Sequence, residues 1–326
     1  MNNGSGPVLL ILFFLLLSCG QVPRPAPPAP PGPGPVVPTP PGHELPPPGG
    51  PSPAVIREKE LRELSGLACS LRRPGAFWAH NDSGDPARLF LFDGGGRSLG
   101  TVTLAGLAAL DWEDCAVAAG PRGEPWIWVG DIGNNLSLPI LKVVYRFREP
   151  DPGLLPLILD RREIQTFRFR LPAIARDCEC LMVQPGTGMP YLVPKANQPE
   201  VGLFTTPSPP GPGQGVIDLV KVATLVVPGR PGLRRMVSAG DFLPGGRAFL
   251  LRTYGWLHLY RLPPPGGGCP RLKPYHSQLA PSQPAGDAVT VDPRTGTAYL
   301  SGEGPDPRLI PVPLPRGGGE SPGKDP

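Results

Sequence analysis

Carboxylates recur ahead of short runs of small apolar residues. Glu63 precedes "LSGLAC", Asp111 and Glu113 open "DWEDCAVAA", Asp177 and Glu179 open "DCECLMV", and Asp287 opens "GDAVTV". A second polar set follows bulky runs: Asn81 ends "FWAHN", and Asp131, Asn134 and Asn135 end "WIWVGDIGNN". Residues two apart on a strand share a face, so Asp111 stands with Glu113 and Asp177 with Glu179. Acidic groups gathered in a narrow space must be protonated, paired with cations or ligating a metal. Hard oxygen donors without His or Cys companions suit Ca²⁺. The candidate ligands are therefore Glu63, Asn81, Asp111, Glu113, Asp131, Asn134, Asp177, Glu179 and Asp287. Beside such an ion, Glu113 or Glu179 has the chemistry of a general base acting on water. Two other readings stay open. Lys195 and Arg252, which end "YLVPK" and "AFLLR", are placed to balance the charge as buried ion pairs. Asn, Asp, Ser and Gly are also the ordinary chemistry of tight turns.

Only a repeating architecture gathers residues so far apart. Five units share one plan: a strand of small residues opened by carboxylates, a Pro/Gly turn, an apolar strand with a polar end, a loop and a third strand. They begin at Glu63, Asp111, Asp177, Ser238 and Ala285, and their first turns read "RRPG", "PRGEP", "QPGTGMP", "LPGGR" and "DPRTG". The stretches 100–106, 164–172 and 219–227 supply a fourth, outer strand. No window shows sustained helical periodicity. Four-stranded antiparallel units repeated around an axis are the blades of a β-propeller. The sequence predicts an all-β propeller of five or six blades, with room for a degenerate sixth between Arg146 and Asp177. A β-sandwich also accounts for short strands, but not for the recurrence. "AVIREKEL" (54–61) is placed to pair with the last blade and close the ring. In a propeller the first strands line a central channel, so the carboxylates and the polar strand ends converge on one mouth.

The remainder of the 326 residues reads differently. "VLLILFFLLLSCG" (8–20) is short for a membrane span and suits the apolar core of an export signal. Leu16-Leu17-Ser18-Cys19 resembles a lipobox, although no Lys or Arg precedes the apolar run. Residues 1–19 are thus expected to be a lipoprotein signal peptide with Cys19 lipidated, and Gly20 after it resembles outer-membrane sorting. Residues 20–53 are a proline-rich linker without core-forming residues, 54–315 the propeller, and 316–326 a disordered tail. The expected protein is exported and held by its lipid at the outer membrane or cell surface. A net charge of +4 with scattered Arg residues is no nucleic-acid footprint. Besides Cys19, an odd number of cysteines remains (Cys69, Cys115, Cys178, Cys180 and Cys269). One or two disulfides are open to them, but Cys69 and Cys115 read as small buried apolar residues. Cys178-Glu-Cys180 lacks the second pair that a zinc site needs.

"ELSGLA", "W-x-x-NDSG", "DWED", "DIGNN" with "YRFREP", "DCECL", "VSAGDF" and "GDAV" together span roughly 60–305. In these motifs the chain resembles a family of exported bacterial propeller proteins, many of them lipoproteins, without an assigned activity. It departs from that family in carrying Asn134 where Asp is usual, and Cys178 and Cys180 where Ala or Gly are usual. More distantly the layout is similar to calcium-dependent propeller esterases, lactonases and phytase-like phosphatases. The reading that needs only the features above is a membrane-anchored binding or scaffolding module with an acidic channel open to calcium, whose mouth meets a protein, glycan or small molecule. The alternative is a calcium-dependent hydrolase of an ester, lactone or phosphoester.

Overall fold

A computed structural model describes residues 51–134, 141–172, 177–229, 231–232, 235–281, 283 and 286–315. Cys19 and the rest of the expected signal peptide 1–19, residues 20–50 of the expected linker, Asn135 and residues 316–326 lie outside the described residues. Among the described residues no helix is long and apolar enough to cross a membrane.

The chain enters through β1 (Ala54–Val55) and then runs five times outward from an axis. Blade 1 is β2 (Leu64–Cys69), β3 (Ala76–Asn81), β4 (Pro86–Asp93) and β5 (Ser98–Ala108). Blade 2 starts with β6 (Trp112–Ala119), β7 (Pro125–Asp131) and β8 (Lys142–Arg148); after β9 (Leu157–Leu159), β10 (Gln165–Arg170) completes it. Blade 3 is β11 (Cys178–Gln184), β12 (Met189–Pro194), β13 (Glu200–Thr205) and, after β14 (Val216–Asp218), β15 (Val220–Val226). Blade 4 is β16 (Val237–Phe242), β17 (Ala248–Thr253), β18 (Trp256–Arg261) and, after β19 (Arg271–Leu272), β20 (His276–Leu279). Blade 5 is β21 (Ala288–Val291), β22 (Ala298–Ser301) and β23 (Arg308–Val312), with β1 as its outer strand. The fold is a five-bladed β-propeller. The inner strands form a closed ring in the order β2, β6, β11, β16, β21 and back to β2.

The segment with room for a sixth blade is used otherwise. β10 is the outer strand of blade 2, and β9 pairs in parallel with β5 of blade 1. β14 and β19 do the same to the outer strands of blades 2 and 3. The segments leading into the outer strands of blades 2, 3 and 4 thus first pair with the previous blade, covering an edge that would otherwise be open to association. Ring closure follows the expected route: Ala54 pairs with Leu309 and Val55 with Arg308, and Arg57 N–H donates to Gly96 O at 2.7 Å. Gly96 stands at φ 78° with the backbone of Val55 against it, so a side chain there would be strained and crowded at once.

Strand alternation distributes the core among five blade interfaces. In β3, Phe77 and Ala79 face blade 5, whereas Ala76 and Trp78 face blade 2. Cys178 and Cys180 likewise fall into different interfaces. All five described cysteines are free, four of them buried, so no disulfide forms among them. Buried polar groups bolt the blades together. Asp114 accepts from Leu181 N–H of blade 3, and Asp241 accepts from Val291 N–H and the Thr290 hydroxyl of blade 5. Thr290 in turn accepts from Cys69 N–H of blade 1. Glu149, just past β8, accepts from the Ser70 hydroxyl, Trp78 Nε1 at 3.0 Å and the N–H groups of Leu71 and Arg72 at 3.2 and 3.1 Å.

Removing one acceptor that serves four buried or half-buried donors leaves them unsatisfied. Glu149→Ala is expected to lower the unfolding free energy by at least about 3 kcal/mol. An unchanged urea midpoint would show that this clamp between blades 1 and 2 is idle.

Candidate metal centre

A β-bulge interrupts the start of four of the five inner strands, and the skipped residue is polar each time. Pairing passes from Leu64–Asn81 to Gly66–His80, skipping Ser65, and from Trp112–Asp131 to Asp114–Gly130, skipping Glu113. It passes from Cys178–Pro194 to Cys180–Val193, skipping Glu179, and from Val237–Thr253 to Ala239–Arg252, skipping Ser238. In blade 5, Asp287 stands immediately before the first pair, Ala288–Ser301. A bulged residue has no cross-strand partner and its side chain is re-aimed. Here each is buried against the neighbouring inner strand or its lead-in: the Ser65 hydroxyl donates to Glu113 O at 2.7 Å, and that of Ser238 to Gly286 O at 3.3 Å.

The bulges bring carboxylates of three blades together. Oxygens of Asp82, Asp111 and Glu113 lie within 4.8 Å of one another, and so do those of Glu113, Asp177 and Glu179. Glu113 belongs to both triads. Gly133 covers them so closely that a Cβ would collide with Glu113 Oε1 and the Asp111 carboxylate. Asn134 N–H donates to Asp177 Oδ1 at 2.9 Å and holds that side chain in place.

The other sequence-predicted ligands divide into two groups. Asn81 and Asp131 hold backbone. Asn81 Oδ1 accepts from the N–H groups of Arg62 and Glu63, both at 3.0 Å, while its amide donates to Glu60 O and Asp85 Oδ2. Asp131 Oδ1 accepts from Asp111 N–H at 2.9 Å. Glu63 is exposed at the rim, and Asp287 stands across the mouth with a buried Oδ1 that has no partner among the described residues. Asp82 joins the cluster although it is not among the sequence-predicted ligands; its place after Asn81 in "NDSG", one turn position on, is the local signal for it.

Cations are fewer than carboxylates. Lys195 Nζ pairs with Glu179 Oε1 at 2.6 Å, as the charge-balancing reading expected. Arg252 makes no such pair among the described residues; its guanidinium donates to the carbonyls of Ala288 and Ser301 and to Gln283 Oε1. Lys142, unremarked in the sequence, is buried and donates to Gly133 O at 2.9 Å. Burial first, then the charges of Glu179, Asp82, Asp111 and Asp177, push Glu113 up to about 10. Burial also raises Glu179, to about 7, outweighing its bond to Lys195. Asp82 is raised by burial and by Asp111. Two carboxylate charges within 4.8 Å repel by about 3.5 kcal/mol or more at an effective dielectric of ~20, so the triads cannot all be ionised unaided. The donor set, entirely carboxylate oxygen, fits a hard divalent cation such as Ca²⁺.

No family model matches the chain, and no curated protein matches it. The resemblance to exported propellers therefore rests on the motifs alone. Among solved structures, that of U3-55K is 12% identical, over 81% of this chain and 100% of that one, at a TM-score of 0.40. A gluconolactonase from Xanthomonas campestris is 16% identical, over 77% of this chain and 72% of that one, at a TM-score of 0.42. Both are distant structural neighbours and leave the site to be read from its own geometry.

Carboxylates held above their unfolded pKa bind more protons in the folded state than in the unfolded one. Stability should therefore fall as pH rises from the ordinary carboxylate range, near 4.5, through about 7 and towards about 10. Thermal melts of metal-free protein between pH 5 and 9 check this, and Glu113→Gln should flatten the slope. A melting temperature that climbs with pH would refute the assignment.

Proposed function

We propose that the folded domain is a cation-dependent binding module, held outside the cell by a lipid on Cys19, with Ca²⁺ at its acidic mouth and a protein, glycan or small molecule as its partner there. The observation that carries this reading is the sharing of Glu113 between two carboxylate triads drawn from three blades. Asp82, Asp111, Glu113, Asp177 and Glu179 would hold the ion. When bound, a divalent ion supplies positive charge and open coordination positions for oxygen atoms of a ligand. Asn134 orients Asp177, and Lys195 fixes Glu179 by one oxygen. Metal analysis and calcium titration of the purified full-length protein test the reading. Wild type should bind Ca²⁺ and gain melting temperature, more at pH 8 than at pH 5, because the ion displaces protons from Glu113 and Glu179. Glu113→Gln, which disables both triads, should abolish that gain; a variant that still gains as much as wild type would sink the proposal.

A second reading, a calcium-dependent hydrolase, is favoured by one feature. Glu179 is poised at about 7, and with Oε1 engaged by Lys195 its second oxygen is left to take a proton from water. This reading requires turnover of an ester, lactone or phosphoester that is lost in Glu179→Gln. If a panel of all three gives no turnover with Ca²⁺ present, the binding reading alone stands.

A further inference from the structure

At the hairpin end of blade 2, away from the carboxylates, cations and rings interleave across one sheet face. The register sets Trp126 opposite Arg148 and Trp128 opposite Arg146 on β7 and β8, with Gln165 of β10 beside Arg146. The Arg146 guanidinium carbon lies 4.8, 4.7 and 4.9 Å from the ring centres of Trp126, Trp128 and Phe167, and that of Arg148 lies 3.9 Å from Trp126. Stacked in this way, Arg146 can form hydrogen bonds only through its edge. Nε and Nη2 both donate to Gln165 Oε1, and Nη1 has no partner among the described residues.

The charge is unbalanced. Among the described residues no carboxylate lies within ion-pair distance of Arg146. Glu124 alone, 3.9 Å from each, serves both Arg122 and Arg148. Burial first, then the neighbouring Arg148, pulls Arg146 down to about 10, and the charge of Glu124, which also lines the cleft, offsets this only in part. A cleft of about 400 Å³ opens over these side chains, within the size range of small-ligand sites, and Thr187, Pro209 and Pro210 of blade 3 form its far wall.

We propose that this cleft binds a small ligand through an oxyanion, carboxylate or phosphate, which meets Arg146 Nη1 and the half-exposed guanidinium of Arg148, only loosely held by Glu124 at 3.9 Å, while the body of the ligand lies against Trp126, Pro209 and Pro210. Rigid guanidinium edges match the paired oxygens of such groups, and charge-assisted bonds are the strong ones. The site is separate from the acidic mouth and does not depend on its ion.

Calorimetric titration of the full-length protein with glucuronate, inorganic phosphate and uncharged glucose tests this, with EDTA present to silence the mouth. Saturable binding of glucuronate or phosphate is expected, and which of them binds tells a sugar acid from a phosphate source. Arg148→Gln should weaken binding about tenfold or more, as loss of a charge-assisted bond implies; its side chain is half exposed and the fold should tolerate the change. Arg146→Lys keeps the charge but loses the fork, and should also weaken binding. The proposal fails if neither anion binds saturably, if glucose binds as tightly as glucuronate, or if both arginine variants bind as wild type does.

Discussion

Five strands packed around one axis leave little room between them, and most of the molecule follows from that crowding. A Cβ on Gly66 would lie 2.9 Å from the backbone nitrogen of Cys115, and one on Gly240 would lie 2.8 Å from Cys180 Sγ. Gly66 and Gly240 can therefore carry no side chain, and such residues bury too little apolar area to hold the strands together. Cohesion comes instead from the larger side chains farther out in each interface, and from acceptors that reach the neighbouring inner strand. Asp114, Asp241 and Thr290 each take a backbone or hydroxyl hydrogen from the next inner strand, tying blades 2 to 3, 4 to 5 and 5 to 1. A buried carboxylate is tolerated there because every such bond satisfies it in a low-dielectric setting.

At the mouth the strands part, and the bulges use the space. Pairing resumes normally one residue later, so the bulge costs the sheet one unpaired residue and redirects one side chain. Where that residue is Ser it bonds to the neighbouring strand and the local charge is unchanged. Where it is Glu it brings charge, and in two adjacent blades it brings Glu113 to Glu179. Repulsion between them is of the order of the whole gain from a few hydrogen bonds. Lys195 relieves one end of the array and Lys142 lies to one side. The residual strain falls on Glu113, which must hold a proton or face a cation. Protons and a divalent ion thus compete for the same oxygens, and pH sets which of them the mouth retains.

The repeat was legible in the sequence because the physics acts on every blade alike. Small residues beside acidic ones, Pro/Gly hairpins and apolar second strands all reflect crowding and alternation, so the blades, the outer strands and closure through residues 54–61 could be expected. Less legible was anything that depends on a partner from another blade. Glu63 and Ser65 look alike in spacing to Asp111 and Glu113, but the bulge selects the second member, which leaves Glu63 at the rim and makes Ser65 the counterpart of Glu113. Asp82 enters the cluster only through the turn after Asn81. Lys142 sits in an ordinary third strand, and nothing local marks it as facing carboxylates. The apparent sixth blade between Arg146 and Asp177 failed for a related reason: a short strand such as β9 carries no sign of which sheet it joins.

The choice between Asn and Asp at the ends of the second strands can be read from what surrounds each. Asn81 and Asp131 occupy matching places and accept from the N–H groups that lead into the inner strand. Around Asn81 there are also two acceptors, Glu60 O at 2.7 Å and Asp85 Oδ2 at 3.0 Å, which only an amide can serve by donating. A carboxylate there would face both as a like dipole and a like charge. Around Asp131 the bonds that fix the carboxylate come from N–H donors, which together with the nearby charge of Lys142 offset in part the upward push of burial and of Asp111 on its pKa. The same latch is therefore built twice, with the charge set by local donors and acceptors. A carboxylate in a motif marks a place where N–H groups must be gathered as readily as one where a metal is held, and the bulge separates the two, by freeing Glu113 and Glu179 from the ladder while leaving Asp131 within it.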